Sequence, residues 1–412
     1  MSSIYEAVPL DRGISSTNIR VIESLARDAE GEISCRLRTT SLEWEDDEGR
    51  RQGPESYLAL SYAWGQPDAG KSILIDGKPF IVRKNLWNFL NEACSRGLAA
   101  PGLANKRHPM APSVHTGRTT FQGSANRRRS MAPVIHTENP FDQQEQEFLW
   151  IDAICIDQSR VEERNHQVAM MGKIYSLARK VLVWLGQSTP LIAGLLHNMY
   201  GLEVDEYHKL AWKTDIDSLE RERMQFGLEH LCRFEYWERL WVVQEYLLAK
   251  DVKIWFGADS VDPEKIKWLV YVEFKERHLA ESYAIQLLQG RKVRNVHAEQ
   301  LSLKRHLDDF GIKMKCADVR DRVYGLLALI NERERVDLGL RPDYSLSPLG
   351  LFLNLISALR ESGSYEPDEL LDYVETLRLA LGLPLSVVAW VIRQQLGHHL
   401  YNEWSARRKQ SA

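Results

Sequence analysis

One glutamate stands where a carboxylate could take part in chemistry. Glu245 belongs to the stretch YWERLWVVQEYLLAKDVKIWFG, residues 236 to 257, which predicts a helix followed by a strand. It lies one turn beyond Trp241 and one turn before Leu248, so its carboxylate shares a largely apolar helix face. Such a carboxylate is either paired with a cation, for which Arg239 is at hand, or held ready for catalysis.

Two aspartates interrupt the apolar run FLWIDAICIDQ, at Asp152 and Asp157. The run predicts a strand from Phe148 that is covered on both faces and ends at a polar rim, where Asp157 and Gln158 would lie. Ligands collect at the carboxyl ends of parallel strands, so this rim is a candidate site. For both aspartates, structural capping or pairing is the interpretation we prefer over catalysis.

Aromatic residues follow the strand predicted for YLALSY, residues 57 to 62. Gly65 allows the backbone to turn sharply beneath the ring of Trp64. Tyr62 and Trp64 are expected to pack in the core and the turn. Their place at a strand end also makes them candidates to stack on a ligand.

The segment from Phe148 to Gly186 predicts the unit that would position these side chains. Ser159 and Glu162 have the spacing of a capping box, and apolar residues then recur at helical intervals as far as Ala178. A second apolar run begins at Lys180. A strand, a helix and a strand in this order make two parallel strands.

Further elements frame that unit. Asp76 and Gly77 between two apolar runs predict a β-hairpin, and Asn85 is expected to cap the helix after it. Residues 258 to 412 read as helices, two of which are introduced by Ser347-Pro348 and by Pro367.

The overall composition restricts the function. The chain has 412 residues, a formal charge of -4 and a pI near 6.3, which argues against an electrostatic grip on nucleic acid. Its five scattered cysteines form no CxxC pair and favour a reducing compartment over disulfides or a zinc site. The N-terminus lacks the blocks of a signal peptide, and no apolar stretch is long enough to span a membrane, so we expect a cytoplasmic protein.

Residues 97 to 147 differ in character from the rest. They are rich in Pro, Ser, Gly, Arg and His, and they lack apolar periodicity, which predicts a disordered insertion. The run Arg127 to Arg129 could serve nuclear import or an anionic partner, but a solvated loop is the preferred interpretation. A nuclear or nucleic-acid-binding function would rest on this run alone.

Four ordered motifs resemble a known family. YLALSYAWG, FLWIDAICIDQ, ERNHQVAMMGKIYSLARKVLVWLG and RFEYWERLWVVQEYLLA together resemble the heterokaryon incompatibility (HET) domain of filamentous fungi, over about Tyr57 to Ala249. The later CADVRDRVYGLLALI and RPDYS resemble the segment that follows many HET domains. We therefore expect an N-terminal extension (1–56), a HET domain (57–257) that contains the 97–147 insertion, and a helical C-terminal region (258–412).

The resemblance implies a fold and a function. HET domains are similar to TIR domains, so the expected fold is α/β: a flavodoxin-like, TIR-like, mostly parallel sheet flanked by helices, with an added β-hairpin. The implied role is nonself recognition that ends in growth arrest or cell death, through self-association and another incompatibility protein. Some TIR domains cleave NAD+ with a glutamate that matches Glu245, so NAD+ is an alternative substrate, although no cofactor is certain.

Overall fold

The computed structural model describes most of the chain. The described residues are 4–10, 16–45, 51–67, 70–97, 147–199, 202–204, 210–212, 217–273, 279, 281–296 and 301–410. The insertion predicted for residues 97 to 147 lies outside them, apart from its two end residues.

The strands number thirteen among the described residues. They are β1 (Asn18–Arg27), β2 (Ile33–Ser41), β3 (Trp44–Glu45), β4 (Arg51–Gln52), β5 (Tyr57–Tyr62), β6 (Gly70–Ile75), β7 (Lys78–Arg83), β8 (Phe148–Trp150), β9 (Lys180–Trp184), β10 (Leu202–Val204), β11 (Leu210–Trp212), β12 (Val252–Phe256) and β13 (Asp259–Val261). Nine of them form one sheet in the order β13-β12-β9-β5-β8-β1-β2-β6-β7.

The sheet is mixed. The four neighbouring strands β12, β9, β5 and β8 run parallel, as does the pair β2 and β6, while the other neighbours in the sheet are antiparallel. The α/β class is confirmed, with a mixed sheet where a mostly parallel one was expected. The predicted hairpin at Asp76-Gly77 joins β6 to β7, and both of its turn residues have positive φ.

Helices cover the sheet and make up the C-terminal region. They are α1 (Lys84–Ser95), α2 (Asp152–Cys155), α3 (Val161–Leu177), α4 (Pro190–Met199), α5 (Ser218–Cys232), α6 (Trp241–Leu247), α7 (Pro263–Trp268), α8 (Tyr283–Val296), α9 (Leu303–His306), α10 (Asp321–Tyr324), α11 (Glu332–Asp337), α12 (Pro348–Ser362), α13 (Pro367–Ala380), α14 (Leu385–Val391) and α15 (His398–Gln410). The helices predicted after Ser347 and Pro367 are present as α12 and α13.

The N-terminal residues add more to the sheet than the sequence predicted. The segment 1–56 contributes β1 and β2, which lie between β8 and the hairpin. Arg20 of β1 is 1% exposed and pairs with Glu163 of α3 at 2.5 Å. Its guanidinium also donates to the carbonyls of Val8 and Cys155. This buried pair ties the start of the chain to α2 and α3.

The prediction of one long strand from Phe148 to Gln158 is wrong. Strand β8 ends at Trp150, and the chain then turns into the short helix α2. The backbone N–H groups of Ile154 and Cys155 donate to the carbonyl of Ile151, which closes the turn. An apolar run reads the same for a buried strand and a buried helix, so its composition could not separate them.

Two predicted caps are also wrong. Helix α3 follows Arg160 without a side-chain cap, and both the backbone N–H and the hydroxyl of Ser159 donate to Asp157 instead. Helix α1 follows Arg83, and Asn85 lies in its first turn. Within the described part of the chain, no helix has the length and apolar character needed to cross a membrane.

Candidate active site

Glu245 lies inside the protein, on the short helix α6 beside the end of β5. Its side chain is 2% exposed. The Ser61 hydroxyl, on β5, donates a hydrogen bond to its Oε2 atom at 2.5 Å. Burial raises the pKa of Glu245 to about 7, against the opposing effects of the Arg239 charge and the Ser61 hydrogen bond. The carboxyl can therefore gain or lose a proton near neutral pH.

Ser61 and Tyr236 are site residues that the sequence analysis missed. Their hydroxyl oxygens are 2.7 Å apart, and both side chains are buried. The result is a chain of hydrogen bonds from Tyr236 through Ser61 to Glu245. A signal was present: Ser61 is a small polar residue in β5, and all six residues of that strand are buried.

Arg239 is the cation next to these three hydrogen-bonded side chains. Its Nη1 atom donates to the carbonyl oxygen of Tyr62 at the end of β5. Its positive charge opposes the rise in pKa that burial causes at both Glu245 and Asp152. Arg239 therefore acts on two carboxyl groups while its hydrogen bond holds it against the backbone of the strand.

Asp152 is the first residue of α2, just beyond the end of β8, and belongs to the same neighbourhood. Its Oδ2 atom accepts from the indole N–H of Trp64 at 3.0 Å, and its Oδ1 atom accepts from the backbone N–H of Ala153 at 2.7 Å. Burial raises the pKa of this carboxyl group. The charge of Arg239 and these hydrogen bonds make the rise smaller. Gln158 donates to the Asp152 carbonyl at 3.2 Å and so closes the loop after β8.

The turn after β5 fixes the position of Trp64. Gly65 has φ +72°, which strains any residue with a side chain. Arg83 donates to the Gly65 carbonyl at 2.8 Å, and its guanidinium lies 5.1 Å from the Trp64 ring centre. One face of this ring is thus already covered by a cation.

Tyr62 is the other aromatic residue at the end of β5. It is 3% exposed, and burial raises its pKa well above the ordinary range, with Asp152 and Glu245 adding to the rise. In the sheet it pairs with Trp184 of β9. Its ring is therefore buried at the end of β5, near the two carboxyl groups.

Asp157 lies apart from this group. It is 4% exposed, accepts two hydrogen bonds from Ser159, and adds to the raised pKa of Tyr5 on the N-terminal segment. These contacts are those of a turn-stabilising carboxylate. The rim prediction placed it at a strand end that does not exist, because the chain leaves the sheet at Trp150.

Trp241, the remaining candidate, points towards the C-terminal region. Its indole N–H donates to Oδ2 of Asp321 at 3.2 Å. The structure thus groups Glu245, Asp152, Arg239, Tyr62 and Trp64, and gives Trp241 a separate partner. No cluster of three or more His, Cys, Asp or Glu side chains that could hold a metal ion occurs in the described ranges.

Comparison with known proteins supports the resemblance to the HET family. The model of the family "Heterokaryon incompatibility protein (HET)" matches residues 115–245, which end at the candidate glutamate. The chain is also 26% identical to heterokaryon incompatibility protein 6, OR allele, of Neurospora crassa, over 71% of the chain and 45% of that protein. The chain therefore spans less than half the length of this relative. No solved structure matches the chain. The resemblance predicted from the four motifs is confirmed.

Proposed function

We propose that the chain is a heterokaryon incompatibility (HET) domain protein that acts in nonself recognition between fused hyphae. In this proposal it is a cytoplasmic signalling module that self-associates, works with another incompatibility protein, and arrests growth or kills the cell. The observation that carries the proposal is the family match, together with the similarity to an incompatibility protein of Neurospora crassa.

Induced expression in a filamentous fungal host tests this role. We expect colonies that express the chain to slow or stop their growth relative to colonies with an empty vector. Protein level is followed by immunoblot in the same cultures. Normal growth at confirmed expression contradicts the proposal.

A second candidate function is hydrolysis of NAD+, which the environment of Glu245 favours. Breaking the bond between nicotinamide and ribose sends the bonding electrons to nicotinamide and leaves an oxocarbenium-like ribose. The Glu245 carboxylate would stabilise this cation, much as carboxylates do in glycoside hydrolysis. Water then adds to the ribose and releases a proton, so the products are nicotinamide, ADP-ribose and H+.

The burial of Glu245 has a consequence for this second function. A substrate cannot reach a side chain that is 2% exposed unless α6 or the turn after β5 moves. The proposal therefore expects little activity in dilute protein and activity after self-association, which would couple the two candidate functions.

Nicotinamide release tests the enzyme directly. Dilute protein and artificially clustered protein are incubated with NAD+, as wild type, Glu245→Gln and Glu264→Gln. Glu264 is the matched control because its side chain is 63% exposed, on the distant helix α7. We expect release only from clustered wild type and clustered Glu264→Gln. No release from folded, clustered wild type rejects the enzyme, and equal release by Glu245→Gln rejects the assigned site.

A further inference from the structure

The chain after residue 314 lies against the segment that begins the Glu245 helix. The backbone N–H of Leu240 donates to the carbonyl of Lys315 at 2.9 Å, and the N–H of Lys315 donates to the carbonyl of Glu238 at 2.7 Å. Arg239 and Lys315 thereby form a parallel bridge. The C-terminal region thus holds Arg239, whose guanidinium reaches the end of β5, through the backbone groups of the residues on either side of it.

A buried carboxylate forms the second contact. Asp321 is 8% exposed and lies between two donors, the indole N–H of Trp241 at 3.2 Å and the Tyr344 hydroxyl at 2.5 Å. Gly325 lets this contact close up: a Cβ atom there would lie 2.9 Å from the Asp321 carbonyl oxygen and 3.6 Å from the Trp241 ring.

Tyr344 is itself held from the opposite side. Its ring centre lies 4.2 Å from the Arg164 guanidinium and 5.3 Å from that of Arg320. Its backbone N–H donates to the Asn165 side chain at 3.0 Å. Because Arg164 and Asn165 belong to α3, the contacts run from α6 through Asp321 and Tyr344 back to the HET core.

Helix α6 depends on such contacts. It has seven residues, which is too short for a helix to hold its shape by its own hydrogen bonds. Its first residue is Trp241, one turn before Glu245. A constraint on the Trp241 side chain therefore constrains the direction in which the Glu245 carboxylate points.

We propose that Lys315, Asp321, Gly325 and Tyr344 form a latch that positions the Glu245 helix, with Asp321 as its positioning residue. The C-terminal region is then part of the working HET site and not an independent appendage. The functional side of this inference rests on the function proposed above, whereas the placement of α6 is tested without it.

Hydrogen exchange and growth arrest together test the latch. Asp321→Ala removes both acceptors, and we expect the backbone amides of residues 244–248 to exchange about tenfold faster or more, with growth arrest lost. Asp321→Asn keeps an acceptor for Trp241 and a polar partner for Tyr344, so it is expected to retain slow exchange and arrest. Glu334→Ala is the matched control. Glu334 is another buried carboxylate, and it accepts from Leu303, Tyr365 and Tyr373, none of which belongs to α6.

The outcomes separate the latch from the proposed function. Unchanged exchange in Asp321→Ala overturns the latch, and so does equal loosening of α6 by Glu334→Ala, because that would reflect general loss of stability. If the exchange pattern is as expected but wild type never arrests growth, the proposed function fails and the latch stands. If wild type arrests growth and Asp321→Ala leaves α6 unaltered, the function stands and the latch fails.

Discussion

At the scale of single residues, Glu245 is a carboxyl group whose pKa is raised by burial, while Ser61 and Arg239 act to lower it. Removal from water favours the neutral acid, while the Ser61 hydrogen bond and the Arg239 charge favour the carboxylate. Burial has the larger effect, so the pKa is raised to about 7 from 4.5. A group in this condition can change its protonation state under ordinary cellular conditions.

The raised pKa predicts how stability depends on pH. Between pH 4.5 and about 7 the folded state keeps a proton on Glu245 that the unfolded state has already released. The free energy of unfolding should therefore fall as the pH rises through this window, by about 3 kcal/mol from this group, and level off above it. Glu245→Gln carries no titrating group and should lose this part of the slope. Denaturant unfolding at several pH values measures the difference.

A surface variant serves as the control for this prediction. Glu264→Gln replaces an exposed carboxylate and should keep the wild-type slope. A Glu245→Gln variant whose stability follows the same pH curve as wild type would show that the carboxyl is not held in the neutral form by burial.

Part of this site could be predicted from the sequence. The spacing of Trp241, Glu245 and Leu248 indicated a carboxylate on an apolar face, and Glu245 is buried. Its hydrogen-bond partner Ser61 lies 184 positions earlier in the chain. No local pattern joins residues so far apart, because their meeting depends on how α6 packs against β5.

At the scale of elements, α3 depends on a glycine at its contact with the C-terminal region. A Cβ atom on Gly172 would lie 2.1 Å from the Cβ of Ala328, which is far inside contact distance. Both atoms are attached to backbone, so neither can move aside without shifting an element. Gly172→Ala is therefore expected to cost about 1–3 kcal/mol or more of the free energy of unfolding.

Gly194 provides the matched control for that prediction. It also lies inside a helix, α4, but a Cβ atom there meets nothing within 4 Å. Gly194→Ala should stabilise the protein by about 0.5–1 kcal/mol through helix propensity alone. Thermal and denaturant unfolding of the two variants give the comparison. Similar shifts in both would contradict the packing argument at α3.

Some elements with a local signal were predicted correctly, although two of the predicted helix caps were wrong. Asp76-Gly77 correctly predicted a hairpin, and the prolines at 348 and 367 correctly predicted helix starts, because the residue preferences of these turns and helix starts are local. The end of β8 had no such marker. The apolar residues after Trp150 are buried in the short helix α2, whose Cys155 carbonyl accepts a hydrogen bond from Arg20. The sequence alone did not predict this contact.

At the scale of the whole molecule, the main sheet includes two strands that come before the region covered by the four motifs. Strand β1 lies beside β8, which is the central strand of the sheet, and β2 lies on the other side of β1. Ile19, Val21 and Ile22 of β1 are fully buried. Its partner β2 follows it in the chain, but its other partner β8 is distant, and no local pattern shows that second pairing.

The C-terminal region is joined to the same body by close contacts. Gly172 packs on Ala328, and Asn165 accepts from the backbone N–H of Tyr344. The helical character of this region followed from its sequence, but its contact with the Glu245 helix did not. The HET site and the region after it are therefore best tested together, in the full chain.

Colony growth on induced expression of wild type, Glu245→Gln and Glu264→Gln, at equal protein levels, tests the central claim most directly. We predict that wild type and Glu264→Gln arrest growth and that Glu245→Gln grows normally, because we propose that the buried carboxyl is the working group of the candidate site. Growth that is the same for wild type and Glu245→Gln would contradict this account.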